Sequence, residues 1–369
     1  MASPFVSALA TQLQLTENEK NILAAADVKS PEDVDSLVRA FPSIARFGLR
    51  VPLISDAVAR SLKPSYIEMA QRLARQRPTV GMGAMPPMNA RFPSGTSIGM
   101  PPNVPPLTPP VGSGPSAPID LRPAHSWPVR NQGDRGTCVA FGSTACVEYH
   151  HFPLGTVPDY SEQFLYWAIK DHSADLRKHK DGTRLCYARD MLVSDGICDE
   201  ASWQYDPKIV NPVSGQTAAD PSRATKIAAA GRKLSTRTYV ENPRSAAREV
   251  LRLLQAGHVV AVSLTVVKDP SDPNLPNNWN TPNAWAYGRV LSPPPSSIVV
   301  DGGHCVCLTG FVPDPTEPKG LGYFIVRNSW GTDWALNVPF PAQSLSPEQG
   351  YGEISAYYLD TYCWELYTC

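Results

Sequence analysis

A cysteine lies where a polar, glycine-punctuated loop is expected to turn into a helix. The stretch reads N-Q-G-D-R-G-T-C-V-A-F-G from Asn131 to Gly142, and apolar periodicity begins directly after Cys138. Because a helix N-terminus favours an anion, we expect this placement to lower the pKa of the thiol and to favour the nucleophilic thiolate. The flanking glycines let the loop fold back, so that the Gln132 amide and the Cys138 N–H can form an oxyanion hole. A buried structural cysteine would fit the same turn. The presence of catalytic partners elsewhere in the chain decides between a catalytic and a structural role for Cys138.

Two candidate partners lie far downstream. His304 follows Gly302 and Gly303 at the start of an expected strand, and Asn328 ends a second expected strand. Together with Cys138 they form the Cys-His-Asn version of a catalytic triad, in which an imidazole base serves the nucleophile and an amide orients the imidazole. Separation in sequence is no obstacle, since such a set is assembled in space.

Several motifs occur in a specific order: Q-G-x-x-G-T-C-V-A-F, then D-G-T, then G-G-H, then R-N-S-W-G-T-x-W. As a set they resemble the papain-like cysteine peptidases, over roughly residues 118–359. The resemblance implies that Cys138 is the nucleophile, His304 the general base and acid, Asn328 the residue that orients the imidazole, and Gln132 the oxyanion donor. It also assigns the following residues to substrate binding, with the last of them shielding the His–Asn hydrogen bond from water: Gly182, Thr183, Gly303 and Trp330.

The chain departs from the family pattern in two places. The usual C-G-S-C-W is replaced by R-G-T-C-V at residues 135–139, which removes one cysteine of a common disulfide and indicates a bacterial-type member. The usual W-G-x-x-G-Y-G is stretched, because an insertion separates Trp334 from Gly350. Neither change touches the four candidate catalytic positions.

The expected fold class is α+β. The resemblance implies a two-lobe papain-like fold with a helical lobe, a β-barrel-like lobe and the site in the cleft between them. Caps and periodicity predict helices and then strands in the second half of the chain. The helices are expected over residues 138–150, 161–170, 183–194 and 246–255, and the strands over 259–267, 304–312 and 323–328.

Three regions are predicted along the chain. Residues 1–77 carry helix-start signals, such as T-E-N-E from Thr16, and are predicted to form a small helical module or part of a pro-region. Residues 78–117 form a proline-rich linker or lid with little charge. Four methionines in it, Met82, Met85, Met88 and Met100, fit a groove-packing role, but we interpret them as filler. Residues 118–369 form the expected peptidase domain.

A long insertion before His304, residues 269–297, carries Trp279, Trp285 and Tyr287. These aromatic residues would either line the leaving-group side of the cleft or pin the loop to the β lobe. The sequence favours neither alternative.

Composition excludes several classes of function. A net charge of −1 gives no basis for binding nucleic acid or an anionic membrane. The N-terminus lacks the features of a signal peptide, and no stretch is long and apolar enough to span a membrane. We therefore expect a protein that is cytoplasmic as made, with export by a leaderless route left open. We also expect it to be a monomer. No cofactor is expected. The spacing of Cys305 and Cys307 relative to the C-terminal pair Cys363 and Cys369 matches no common zinc site, so no metal is expected either.

We therefore predict a hydrolase: a cysteine endopeptidase that acts on protein or peptide substrates through a thioester at Cys138. Because relatives in this family are usually made as zymogens, its N-terminal segment is expected to inhibit it within the same chain. Two alternatives keep the same residues: an acyltransferase that resembles a transglutaminase, and a catalytically silent, peptidase-like binding protein. Four intact candidate catalytic positions argue against the binding protein.

Overall fold

The computed structural model describes residues 4, 6–7, 81–87, 117–123, 127–152, 157–208, 220–235, 238–268, 277–281, 284–285, 288–290, 292, 298–315, 317–335 and 348–369. The predicted helical module over residues 1–77 lies outside these ranges except for three residues, and so does most of the linker over 78–117. Both remain predictions.

Five of the helices in the described part of the chain end before residue 256, and a sixth lies near the C-terminal end. They are α1 (Cys138–His151), α2 (Glu162–His172), α3 (Leu185–Ser194), α4 (Arg223–Ala230), α5 (Ala246–Gln255) and α6 (Ala356–Tyr362). Ser161 caps α2 as its sequence predicts, since the side-chain oxygen accepts the Phe164 N–H at 3.0 Å. None of the helices in the described ranges has both the length and the apolarity needed to cross a membrane.

The strands form one antiparallel sheet. They are β1 (Ile119–Asp120), β2 (Thr238–Glu241), β3 (Val260–Lys268), β4 (Val299–Pro313), β5 (Gly322–Arg327), β6 (Tyr351–Ser355) and β7 (Cys363–Thr368). Their order is β2-β7-β3-β4-β5-β6, and β1 pairs with β4. Strand β4 begins at Val299 rather than at His304 because its first residues still pair with the end of β3.

Two hydrophobic cores lie on opposite faces of this sheet. Along β3, Val260, Val262 and Leu264 belong to the core of the β lobe, while Ala261 belongs to the core formed with α1, α2 and α3. This alternation is the period of two that a strand imposes. The predicted α+β architecture with two lobes is confirmed.

The helical lobe approaches β4 through α1. A Cβ at Gly142 would lie 2.9 Å from the Cys305 sulfur, so only glycine permits this separation without a shift. Cys146, on the same helix, has its sulfur 3.8 Å from that of Cys307. The eight cysteines all lie in the described ranges and form no disulfide.

One helix boundary differs from its prediction in a way that matters for the site. Helix α3 begins at Leu185 and not at Thr183, since the Thr183 backbone pairs instead with residues 83–85. The Thr183 N–H donates to the Gly83 carbonyl at 2.7 Å, and the Thr183 carbonyl accepts from the Met85 N–H at 2.8 Å.

The burial of β5 predicts a large effect of a core truncation. Phe324 is 0% exposed and its ring centroid lies 4.9 Å from that of Phe311. Replacing Phe324→Ala should lower the free energy of unfolding by about 3–5 kcal/mol. The measurement is urea unfolding in a Cys138→Ser background, which prevents self-digestion.

Leu176→Ala is the matched control, because Leu176 is 97% exposed. We expect this control to change the free energy of unfolding by no more than about 0.5 kcal/mol. Equal effects of the two substitutions would contradict the described core.

Candidate active site

Cys138 is the first residue of α1 and is completely buried. Its sulfur accepts a hydrogen bond from the Gly83 N–H at 3.2 Å. Burial raises the pKa of the thiol to about 11, although nearby backbone N–H groups act in the opposite direction. The lowered thiol pKa expected from the helix N-terminus is therefore not found, because the loss of water around the buried sulfur raises the pKa more than the N–H groups lower it.

His304 and Asn328 meet through the pairing of β4 with β5. The imidazole Nε2 lies 2.8 Å from Asn328 Oδ1, which also accepts the Ser329 N–H at 2.8 Å. Since that oxygen is an acceptor, Nε2 carries the proton and Nδ1 is the basic nitrogen. Within the described residues Nδ1 is buried and has no hydrogen-bond partner.

The His304 imidazole is uncharged at neutral pH. Burial lowers its pKa to about 4, and the hydrogen bond to Asn328 opposes this shift only in part. A neutral thiol and a neutral imidazole are thus the resting forms of the two groups.

Aromatic rings enclose the imidazole. Trp330 stacks on it with ring centroids 4.7 Å apart, and Trp279 meets it edge-on at 4.9 Å. Trp285 in turn stacks on Trp330, with ring centroids 5.9 Å apart. Trp279 and Trp285 belong to the core of the β lobe, which favours the pinning role over the lining of the cleft; Tyr287 lies outside the described residues.

Gln132 reaches the same centre from the loop before α1. Its Nε2 donates to the Gly81 carbonyl and to the Arg135 carbonyl, both at 2.7 Å. Its Oε1 accepts from the Ser329 hydroxyl at 2.6 Å, which fixes the orientation of the amide. The amide therefore already binds a peptide carbonyl oxygen.

A short extended segment occupies the cleft, and we call residues 81–85 the strap. Its backbone bonds to both lobes: the Gly81 N–H donates to Gly133 on the helical side at 2.9 Å, and the Ala84 N–H donates to Gly303 on β4 at 3.2 Å. Ala84 also forms a parallel bridge with Thr183.

The candidate substrate-binding glycines lie against this strap. A Cβ at Gly182 would approach the Gly83 carbonyl oxygen to 2.9 Å, and one at Gly303 would approach the Ala84 carbonyl oxygen to 2.4 Å. Gly182 also has a φ of +86°, which an L side chain rarely adopts. Glycine at these two positions thus lets the backbone of the strap lie close to the backbone of the cleft.

The sequence predicts a linker or lid over residues 78–117 and does not single out the strap within it. Met82 packs against the core of the β lobe and does not act as filler; the sulfur of Met85 lies 2.8 Å from the Arg177 guanidinium. Met88 and Met100 lie outside the described residues. Glycines at 81 and 83 were the available signal, because both face positions with no room for a side chain.

No metal site accompanies these residues. Across the ranges that the structure describes, no group of three or more His, Cys, Asp or Glu side chains is placed to hold a metal ion. At the position of the missing family cysteine, the buried Arg135 guanidinium donates to Gln163 Oε1 and to the Asp206 carbonyl, both at 2.7 Å.

Comparisons with known proteins agree with the resemblance. The chain is 26% identical over 211 residues to mouse procathepsin L, covering 57% of this chain and 54% of the relative. It is 25% identical over 222 residues to an uncharacterized peptidase C1-like protein of Acanthamoeba polyphaga mimivirus, covering 57% of this chain and 62% of that protein. The chain thus spans about half to three-fifths of the length of these relatives. No family model matches it.

The fold has a solved counterpart. Xylellain, a cysteine protease from Xylella fastidiosa, superposes with a TM-score of 0.52 at 19% identity, over 79% of this chain and 97% of that one. At this identity the likeness concerns the fold. The chain is similar to papain-like cysteine peptidases in sequence and has their two-lobe α+β fold.

The His304–Asn328 hydrogen bond predicts unequal effects of two truncations. Asn328 touches only the nitrogen that faces away from the basic one, so Asn328→Ala should lower kcat for peptide hydrolysis far less than His304→Ala does. We expect His304→Ala to cost at least about 10³-fold, the scale of a lost general base, and Asn328→Ala at least ten times less. Both variants are assayed under the same conditions in which the wild-type chain is active. Equal losses of kcat in the two variants would contradict this division of roles.

Proposed function

We propose that this protein is a cysteine endopeptidase that hydrolyses peptide bonds through a thioester at Cys138, and that its own strap inhibits it. The observation that carries the proposal is the strap itself. An extended peptide backbone lies in the cleft, with hydrogen bonds to Gln132, Thr183 and Gly303 around the buried thiol. A cleft that binds peptide backbone beside a Cys-His-Asn set fits peptide hydrolysis.

The proposed reaction begins with removal of the strap. Cys138 then transfers its proton to His304 Nδ1, and the thiolate attacks the carbonyl carbon of the substrate. Gln132 Nε2 and the Cys138 N–H stabilise the oxyanion; loss of one such donor costs about 10²–10³ in rate. His304 protonates the departing amine, and a thioester forms on the sulfur.

The second half of the reaction restores the enzyme. His304 takes a proton from water, the hydroxide attacks the thioester carbonyl, and the acid is released while the sulfur regains its proton. Asn328 holds the imidazole in the tautomer that this cycle needs, and Trp330 covers the His304–Asn328 contact on one side. The roles of Asn328 and Trp330 are thus each supported by a contact with the imidazole.

The contact between the strap and the thiol supports inhibition. The Cys138 sulfur accepts the Gly83 N–H at 3.2 Å, so the strap covers the nucleophile and engages it in a hydrogen bond. We propose that residues up to 117 include the inhibitory segment and that cutting within 88–117 releases it. Because the strap is tethered to the domain, its effective concentration is high and little intrinsic affinity suffices.

The fit of the strap depends on two glycines. A Cβ at Gly81 would lie 1.8 Å from the Arg135 carbonyl oxygen, and one at Gly83 would lie 1.9 Å from the Gly136 carbonyl oxygen. Backbone atoms cannot yield to such an overlap as a flexible side chain can. The sequence G-M-G is therefore the proposed inhibitory element.

Gly83→Ala tests the proposed function and its inhibition together. The variant should displace the strap, so that the full-length chain hydrolyses a fluorogenic peptide at least about tenfold faster than wild type and Cys138 reacts with iodoacetamide. Gly231→Ala is the matched control, since Gly231 caps the end of α4 and the nearest atom to its Cβ would be at 3.4 Å.

Two outcomes would contradict this proposal. Full-length wild type that is already as active as Gly83→Ala would exclude inhibition by the strap. Hydrolysis that persists when Cys138→Ala is added to Gly83→Ala would exclude the thioester mechanism.

The buried imidazole predicts acid-promoted opening of the strap. With the strap in place His304 has a pKa of about 4, whereas a hydrated imidazole titrates near 6.5. The open form therefore binds more protons between these values, and opening becomes more favourable as the pH falls from about 6.5 to about 4, by roughly tenfold or more overall. Above that window this group contributes no pH dependence.

Hydrogen exchange measures this effect in the Cys138→Ala chain, which cannot cut itself. The protection factors of the amides of residues 84 and 85, whose acceptors are the Gly303 and Thr183 carbonyls, should fall between pH 7 and pH 4.5 after correction for intrinsic exchange. In a His304→Gln variant that fall should disappear. An identical fall in both proteins would assign the pH response to other groups.

A further inference from the structure

A buried ion pair lies beneath the peptide-binding side of the helical lobe. Lys170, near the end of α2, has its Nζ 2.8 Å from Asp175 Oδ2, and the two side chains are 1% and 6% exposed. Removing two charges from water costs more than their attraction usually returns, so such a pair is weak evidence for stability. Its contacts indicate another role.

Each donor of the ammonium group has a partner. Besides Asp175, Lys170 Nζ donates to the Gly182 carbonyl and, at 3.3 Å, to the Arg177 carbonyl. The three bonds join the end of α2 to the loop that leads to the cleft. Tyr166, one helical turn earlier, donates to Asp181 from the same face of α2.

The carboxylate is equally well satisfied. Asp175 accepts from the Thr183 hydroxyl at 2.9 Å and from the Arg177 N–H at 2.8 Å, in addition to Lys170. Although burial acts to raise the pKa of Asp175, these donors lower it below its ordinary value. A fully connected buried network of this kind fixes the geometry of its members.

The network ends at the residues that bind the strap. It engages the Gly182 carbonyl and the Thr183 side chain, and it leaves the Thr183 N–H and carbonyl to pair with Gly83 and Met85. The same edge is bonded to the loop before Cys138, since the Gly182 N–H donates to the Gly136 carbonyl at 3.1 Å and the Gly136 N–H donates to Asp181 Oδ2 at 3.2 Å. A shift of the edge would therefore move the peptide relative to the sulfur.

We propose that Lys170 and Asp175 are positioning residues that hold Gly182–Thr183 in register, so that an extended peptide bonds to this edge with its backbone placed beside Cys138. The pair acts through the edge and touches no reacting atom. The pair sets the affinity of the cleft for the strap. It also sets the affinity for peptide substrates, and this second part of the inference rests on the proposed function. No covalent cross-link does this, since the eight cysteines form no disulfide.

The test replaces both charges at once. Lys170→Met with Asp175→Asn leaves no unpaired buried charge and nearly preserves volume, so this double variant is expected to fold. The control is Lys319→Met with Asp360→Asn, which removes the ion pair of 3.0 Å between Lys319 and Asp360 in the β lobe. Folding of each variant is checked by circular dichroism and by its Tm.

Two measurements follow. In the full-length Cys138→Ala chain, the amides of residues 84 and 85 should lose at least about tenfold in hydrogen-exchange protection when Lys170 and Asp175 are replaced, and should keep it in the control. In the Gly83→Ala background, KM for a fluorogenic peptide should rise about tenfold while kcat changes less than about threefold, because the edge binds substrate and does not react.

The outcomes separate this inference from the proposed function. Unchanged protection and unchanged KM in the Lys170–Asp175 variant, even with a lowered Tm, would show a purely structural pair and overturn the inference. A Gly83→Ala chain that keeps Lys170 and Asp175 and yet hydrolyses no peptide would defeat the proposed function, while the exchange measurement would still decide the role of the pair.

If the double variant does not fold, Thr183→Val replaces it, since this change removes the hydroxyl bonded to Asp175 and keeps the backbone. Strap protection should fall in Thr183→Val, and Thr183→Ser, which restores a hydroxyl, should recover most of it. Equal protection in Thr183→Val and wild type would overturn the inference.

Discussion

The close approach of α1 to β4 is the constraint on which the site depends. Gly142 allows it, because any side chain there would overlap the Cys305 sulfur across the interface of the two lobes. The approach brings Cys138, at the start of α1, to the part of β4 that carries His304, while the β4–β5 pairing adds Asn328. Neither lobe alone holds the candidate catalytic set. The cleft between them is therefore a consequence of how closely a helix can pack on a strand.

Burial then determines the chemical state of the site. With the strap in place, loss of water favours the neutral forms of both Cys138 and His304, although a helix N-terminus and an orienting amide favour the charged forms. On the proposed account the strap does more than block access. It also keeps the thiol protonated, so inhibition and deprotonation of the nucleophile are coupled through hydration. Opening the cleft to water would relieve both at once, and the proton that the hydrated His304 imidazole takes up makes opening more favourable in acid.

The sequence predicts the elements that carry strong local signals. The Ser161 cap, the apolar run of β3 and the ordered motifs around Cys138 and His304 lead to the correct lobes, and the His304–Asn328 contact follows from them. Long-range contacts leave no such local signal in the sequence. The strap resembles a linker, because two glycines and two methionines have no helical or strand period, and their meaning depends on backbone atoms some 50 residues away. The Lys170–Asp175 pair has no such signal either, since a lysine at the end of a helix is ordinarily solvated.

The most direct test of the central claim is covalent labelling by an epoxysuccinyl probe specific for thiol peptidases. The Gly83→Ala chain is incubated with the probe, and its intact mass and tryptic peptides are measured. The account predicts one adduct per chain, located on the peptide that contains Cys138, together with complete loss of peptide hydrolysis. An adduct on another cysteine, or hydrolysis that survives full labelling of Cys138, would contradict it.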